Sequence, residues 1–285
     1  GSGDGSLRLW DVASGRAIWT VQAHRDWLFA VAFSPDGRTL ATGGGDNRIV
    51  LWDVATRRPR TELTGHMGDV HAVAFVGDDL LVSTGDDRTV RVWGIAANRE
   101  RFVLDGHEGS VPCLALSPDG RTAATASRDD TIRLWDVKAG VALAVLEGHE
   151  GDVLAVCFSP DGRHLASASY DHTVRVWDLE TESELHALRG HTDLAFAVAF
   201  SPDGERIVSG AGDGVKIWNA RTGCLLETRT EQNDVSSVRF SAAGDLLATT
   251  SAEGNLCLRD AVTGSVRRIL WARYGERDLE ELAHE

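Results

Sequence analysis

The sequence predicts an all-β fold built from repeated four-stranded antiparallel sheets, and three observations carry that prediction. Short apolar runs alternate residue by residue between turn signals. Between Thr173 and Trp177, for example, Val174 and Val176 face one way and Thr173 and Arg175 the other. A period of two broken by turns marks half-buried strands, because a helix repeats its apolar face every third or fourth residue. Tryptophan recurs in register: Trp10, Trp52, Trp93, Trp135, Trp177 and Trp218 stand 41 or 42 residues apart. Two more motifs keep that register, Gly-His at 65–66, 106–107, 148–149 and 190–191, and Ser-Pro-Asp-Gly at 34–37, 117–120, 159–162 and 201–204. A fixed period of this length means stacked supersecondary units.

Residues 148–178 show the unit most plainly. Residues 153–158 are a short apolar run, and Ser159-Pro160-Asp161-Gly162 closes it. Proline presets φ at the second turn position and glycine tolerates a positive φ at the fourth. Residues 163–169 then alternate, a tight turn follows around Asp171, and residues 173–177 alternate again.

Taken in order, the chain opens within a unit. Residues 1–5 match the turn before a third strand, 7–10 that strand and 16–21 the fourth, so the first two strands of this unit are expected before residue 1. Five well-marked units follow, their first strands beginning near residues 28, 70, 111, 153 and 195. The unit at 70 has Val76-Gly77-Asp78-Asp79 at its hairpin and Gly94 after Trp93. The unit at 195 has lost one residue from its second turn (Gly212-Asp213-Gly214) and has Asn219 after Trp218. A last, eroded unit carries Glu231 for His, Ser241-Ala242-Ala243-Gly244 at the hairpin, Glu253 for the turn Asp and Arg259 for Trp. Its alternation survives in Val235, Val238, Phe240, Leu246, Ala248, Leu256 and Leu258. The repeat domain is therefore 1–270, and residues 271–285 form an acidic tail. So few residues make a marginal helix, so a short helix or a disordered segment is expected there.

At 285 residues and 42% hydrophobic content, the chain can bury a large core as one array. The net charge of −14 and the two lysines among 29 basic residues leave no basic stripe to release counterions from nucleic acid or to meet an acidic membrane. Neither partner is expected. Cys113, Cys157, Cys224 and Cys257 fall in strand patterns without metal-type spacing, which predicts buried thiols in a reducing, cytoplasmic compartment.

Gly-His, roughly 30 residues, then Trp-Asp resembles the WD40 repeat family, and the resemblance covers residues 1–270. It implies a β-propeller, in which sheets unable to bury both faces alone stack radially. Six full units and the outer half of another fit a seven-bladed, monomeric propeller with its first blade cut short. A six-bladed ring with an extra half-blade fits the same count.

Every good repeat holds a His, a Ser or Thr, an Asp and a Trp. Once, such a set would suggest a catalytic triad; once per repeat, it is a structural device. The resemblance implies a buried hydrogen-bond network in five sets. They are His24, Thr42, Asp46, Trp52; His66, Ser83, Asp87, Trp93; His107, Thr125, Asp129, Trp135; His149, Ser167, Asp171, Trp177; and His191, Ser209, Asp213, Trp218. Asp4 and Trp10 are the matching pair of the opening half-unit. No catalytic residue, cofactor or metal is expected; His71 with Asp69 and Asp86 offers one imidazole, too few for a metal set.

Function then lies on the surface. By resemblance, a propeller binds protein or peptide partners at positions three and five after the Gly-His histidine and just before the turn Asp. These are Trp27, Phe29 and Gly45; Asp69, His71 and Asp86; Ser110, Pro112 and Arg128; Asp152, Leu154 and Tyr170; Leu194, Phe196 and Gly212; and Asp234, Ser236 and Ala252. The units differ most from one another here. Large apolar groups mixed with acids suit a peptide bearing an apolar anchor and basic residues. The expected function is a non-catalytic interaction scaffold; the alternative is a sensing module of a larger bacterial signalling enzyme, a kinase or NTPase, whose catalytic domain lies upstream.

Overall fold

The computed structural model describes residues 1–11, 16–230, 234–251, 254–271 and 275–276; Glu231, Ala252, Glu253 and residues 277–285 of the tail lie outside the described residues. Every regular element among the described residues is a β-strand. They form seven antiparallel sheets. Sheet 1 has two strands, Ser6–Trp10 and Ala17–Gln22. Sheet 2 contains Leu28–Phe33, Thr39–Gly44, Arg48–Asp53 and Arg58–Thr64. Sheet 3 contains Val70–Val76, Leu80–Gly85, Val90–Gly94 and Arg99–Leu104. Sheet 4 contains Cys113–Leu116, Thr122–Ala126, Ile132–Asp136 and Val141–Leu146. Sheet 5 contains Val153–Phe158, His164–Ser169, Thr173–Asp178 and Ser183–Arg189. Sheet 6 contains Ala195–Phe200, Arg206–Ala211, Gly214–Asn219 and Leu225–Arg229. Sheet 7 contains Val235–Phe240, Leu246–Ser251, Asn255–Asp260 and Val266–Trp271, with Gly275–Glu276 as a fifth strand. The fold is all-β, six full propeller blades and a partial one.

Three expectations need correction. Sheet 4 starts at Cys113 and not near 111, because Pro112 has no N–H to give a ladder; Val111 instead donates its N–H to the Gly85 carbonyl (3.1 Å). Residues 275–276 are neither helical nor irregular: Leu270 and Trp271 pair with Glu276 and Gly275, because the last full strand offers an edge. The four cysteines are thiols, but none is fully buried, and Cys224 is exposed in the turn before Leu225–Arg229, outside any strand.

Local chemistry explains the motifs. In Ser159-Pro160-Asp161-Gly162 the serine Oγ donates to Asp161 Oδ1 (2.5 Å) and accepts from the His164 N–H (2.9 Å), while Gly162 adopts φ +71°. Sheet 7 rebuilds this hairpin by other means: Ser241 Oγ donates to Asp245 Oδ1 (2.6 Å), two residues further on. The Asp after Trp caps the turn into the fourth strand, as when Asp178 accepts from the N–H groups of Glu180 (2.9 Å) and Thr181 (2.8 Å). Asn219 takes the same part with Thr222 (2.9 Å). In sheet 6 the shortened turn leaves two residues between Ala211 and Gly214, which pair directly.

Contacts divide the chain into two compact units, Gly1–Val145 with sheets 1 to 4 and Leu146–Glu285 with sheets 5 to 7. Within each unit the core lies between successive sheets. In the first, Ala41, Ile49 and Leu51 of sheet 2 pack on Val70, Val73, Phe75 and Leu81 of sheet 3. Val82, Val90 and Val92 of sheet 3 pack on Val111, Ala123 and Trp135 of the next repeat. In the second unit, Ala166, Val174 and Val176 of sheet 5 meet Ala195, Val198 and Ile207 of sheet 6, which in turn meets Val235, Val238 and Leu247 of sheet 7. Small second-strand residues let the next sheet approach: a Cβ on Gly43 would fall 2.7 Å from Val70 Cγ1.

Candidate functional site

All five predicted networks form. In sheet 5 the Trp177 Nε1–H donates to Ser167 Oγ (2.9 Å), which lies 2.7 Å from His149 Nε2; His149 Nδ1 lies 2.7 Å from Asp171 Oδ2. A carboxylate only accepts, so Nδ1 carries the proton, and Nε2 receives the serine proton. The chain of donors thus runs from indole through hydroxyl and imidazole to carboxylate. The same links hold in sheet 2 (2.8, 2.8 and 3.0 Å around Thr42) and sheet 4 (2.8 Å for each). In sheet 3, His66 sits 2.7 Å from Ser83 Oγ and 2.9 Å from Asp87 Oδ2; in sheet 6, His191 sits 2.7 Å from Ser209 and pairs closely with Asp213. The hydroxyls and imidazoles are buried, and four of the five tryptophans are 1% exposed. No substrate atom could reach such a hydroxyl. Asp4 and Trp10 are not joined: Asp4 accepts from the Ser6 N–H (2.9 Å), and Trp10 is exposed.

Burial alone would raise the carboxyl pKa values, but donors outweigh it. Hydrogen bonds from Arg48 to Asp46 (2.8 Å), from the histidine and the following backbone N–H in each set and, in sheets 3 to 5, from a threonine hold Asp46, Asp87, Asp129 and Asp171 far below the usual range. Asp213, likewise pushed up by burial, is lowered to about 2 by the Thr192 N–H and His191, with Lys216 Nζ at 3.3 Å assisting. Burial lowers the His191 pKa against the pull of Asp213.

The candidate surface residues gather within each unit. In the first, Trp27 (58% exposed) and Phe29 are 5.8 Å apart between ring centroids, and Phe29 meets the His71 ring edge-on at 5.0 Å. His71 Nε2 lies 2.7 Å from Asp86 Oδ1, which also receives the Ser110 hydroxyl; these bonds overcome burial and lower the Asp86 pKa, with Arg128 assisting. Asp69 stands differently. Burial and the charges of Asp86 and Asp26 raise its pKa against the pull of His71, and no described group donates a hydrogen bond to its carboxylate. In the second unit Tyr170 meets Phe196 edge-on at 6.0 Å and donates its N–H to the Asp152 carbonyl (2.9 Å); Asp152, Leu154 and Leu194 are half-buried. Asp234 and Ser236 of sheet 7 are exposed, and Ser236 bonds Thr250 (3.1 Å) rather than either ring. At the opposite, hairpin end of sheets 5 and 6 lies a groove of about 400 Å³ lined by Pro160, His164, Leu185 and His186. Among the described residues no three His, Cys, Asp or Glu side chains are placed to hold a metal ion.

The model of the WD domain, G-beta repeat, matches residues 15–53, 57–94, 98–136, 140–178, 182–219 and 223–260, most of the chain. The chain belongs to the WD-repeat family. Individual relatives match over about one repeat. Nuclear distribution protein PAC1 of Coccidioides posadasii (strain C735) is 49% identical over 43 residues, 15% of this chain and 9% of its own length. Ribosome assembly protein 4 of Chaetomium thermophilum is 45% identical over 40 residues, 14% of this chain and 8% of its own length. The WD-repeat chain thus covers under a tenth of each relative.

Sequence reasoning missed the shell around each network Asp. Thr89, Thr131 and Thr173 donate hydroxyls to Asp87, Asp129 and Asp171 (2.8, 2.6 and 2.6 Å), and Arg91 and Arg175 stand 3.6 and 3.7 Å from Asp87 and Asp171. Their signal was a fixed offset, two and four residues after the Asp, within the WD repeat itself.

Proposed function

We propose that this WD-repeat chain is a non-catalytic interaction scaffold, and that sheets 2 to 4 dock a peptide carrying an apolar anchor beside a basic residue. One observation carries the reading: an exposed Trp27–Phe29 pair meets His71, whose charge acts on Asp69, a carboxylate with no hydrogen-bond donor among the described residues. An exposed indole with a neighbouring ring is the usual anchor of an interface. A cationic side chain over those rings would meet a carboxylate that its neighbours Asp26 and Asp86 leave in need of positive charge. The names of the two relatives speak of nuclear distribution and ribosome assembly, not of a reaction.

The test is selection of randomised 12-residue peptides on the immobilised chain. Selected peptides are expected to combine Lys or Arg with an aromatic or aliphatic residue and to weaken with salt. Trp27→Ala should weaken them about tenfold or more, the usual loss at an anchor. Selected peptides without charge bias, or indifferent to Trp27→Ala, would overturn the reading.

A further inference from the structure

Sheet 4 holds an arginine without the counter-charge that sheets 3 and 5 supply. Four residues after the network Asp, in the third strand, those sheets carry Arg91 and Arg175. Arg91 pairs closely with Glu100 and stands 3.6 Å from Asp87; Arg175 pairs closely with Glu184 and stands 3.7 Å from Asp171. Each glutamate lies nine residues after its arginine, in the outer strand. Arg133 takes the same place in sheet 4, four residues after Asp129, but nine residues on stands Ala142. Its guanidinium is held where the others are. A Cβ on Gly106 would fall 2.7 Å from Arg133 Nη1, as one on Gly65 would fall 2.8 Å from Arg91 Nη1 and one on Gly148 3.0 Å from Arg175 Nη1. Yet among the described residues no carboxylate lies within ion-pair distance of Arg133, and its Nε is buried without a hydrogen-bond partner. With no glutamate over it, Arg133 is half-buried where Arg91 and Arg175 are 7% and 8% exposed.

The strand that carries Ala142 is also unlike the other outer strands. Val141–Leu146 is the end strand of sheet 4 and contains no polar side chain. The outer strands of sheets 2, 3, 5 and 6 carry charges such as Arg58, Arg99, Glu184 and Arg229. Charged side chains on an edge oppose pairing with a further strand. Here Val141, Leu143 and Val145, at alternate positions, are 50%, 51% and 39% exposed. Sheet 4 thus ends in an uncharged edge with apolar side chains, beside an arginine in want of an acid.

We propose that the outer edge of sheet 4 binds an extended peptide segment as a fifth strand. The segment has apolar residues at alternate positions and one glutamate, whose carboxylate pairs with Arg133. Main-chain hydrogen bonds to Val141–Leu146 supply affinity, the apolar side chains cover Val141, Leu143 and Val145, and the carboxylate sets the register. A guanidinium offers parallel N–H donors that a carboxylate accepts on both oxygens, so the neutral amide of glutamine is a poor substitute. Glu100 and Glu184 show that the space over such an arginine accepts a glutamate side chain. A second copy of the chain would lay the same uncharged strand here, without the acid. This edge takes an acidic segment where the Trp27–Asp69 site takes a basic one; the two share no residue, and neither reading depends on the other.

The probe is the end-capped peptide Ser-Val-Thr-Val-Glu-Val-Thr-Val-Ser, added in excess to the 285-residue chain. It should slow amide exchange in Val141–Leu146 about tenfold or more. The same peptide with glutamine for glutamate should bind about tenfold more weakly, and the gap should narrow with salt. Ala142→Glu gives Arg133 a carboxylate of its own. That variant should melt higher than the unaltered chain and bind both peptides equally and weakly. Leu143→Asp, at a site already exposed, should abolish binding while leaving the melting temperature unchanged. Equal binding of the two peptides by the unaltered chain, protection in other strands only, or an Ala142→Glu variant that still prefers the glutamate peptide would each overturn the proposal. So would self-association of the chain through Val141–Leu146 that excludes the peptide.

Discussion

Asp171 accepts four hydrogen bonds, from His149, the Glu150 N–H, and both the N–H and hydroxyl of Thr173, with Arg175 at 3.7 Å. Those donors have no other acceptor of that charge, so Asp171→Ala strands several polar groups at once. The expected loss is about 2–3 kcal/mol, or roughly 4–10 °C in Tm, read by thermal melting. The pH dependence has a definite sign. The five network carboxyls have folded pKa values below their unfolded ones, so their contribution is present above about pH 4 and is lost as pH falls through the folded values. His191 acts in the same direction from about pH 6.5 downward, because its neutral form is the one buried. Melting temperature should therefore decline gently below pH 6.5 and steeply below pH 4, and Asp171→Ala should flatten the steep limb. An acid limb as steep in the variant would contradict the assignment. These sets were legible because repetition separates a structural device from a single active site. The surrounding threonines and arginines were not, since an offset of two or four residues says nothing of direction until the turn places both on one carboxylate.

At the scale of one element, two glycines of sheet 2 do different work. Gly37 sits at φ +70° with nothing within 4 Å of where a Cβ would be, so Gly37→Ala meets backbone strain alone. Its expected cost is about 1–2 kcal/mol. Gly44 ends the second strand, and a Cβ there would fall 2.4 Å from His24 Nδ1, the atom that holds Asp46. Gly44→Ala should thus displace the imidazole and cost more than Gly37→Ala, which paired denaturation curves would show. Equal costs would mean that the ring can shift without breaking the network. Strands were legible from alternation, which reports side-chain direction. What alternation cannot report is the missing donor at Pro112 or the edge that draws Gly275–Glu276 into sheet 7. It equally misses Cys224, placed in an exposed turn by the cap at Asn219.

For the whole molecule, the frame of the repeat differs from the frame of the sheet. The matched segment 140–178 contains the last strand of sheet 4 and the first three of sheet 5, so covalent repeats overlap the packed sheets. Stability in such an array is a sum of unit terms and nearest-neighbour terms. Within the second unit the interfaces are alike: Val235, Val238 and Leu247 of sheet 7 are as buried as Ala195, Val198 and Ile207 of sheet 6. The unit terms differ. Sheet 7 has Arg259 where sheets 2 to 6 have tryptophan, and Thr249, although buried, stands opposite Cys257 without an indole to serve. Its packing was legible from the surviving alternation, and the lost motif predicts a weaker sheet. Native-state hydrogen exchange should therefore show Val235–Phe240 and Asn255–Asp260 opening at lower free energy than Val153–Phe158 and Thr173–Asp178. The difference should be of the order of one network, about 2–3 kcal/mol, or roughly 30- to 150-fold in protection. Asp171→Ala should remove that difference by lowering sheet 5 to the level of sheet 7. Equal protection in the unaltered chain would mean that interfaces alone set local stability and that the network serves register rather than energy.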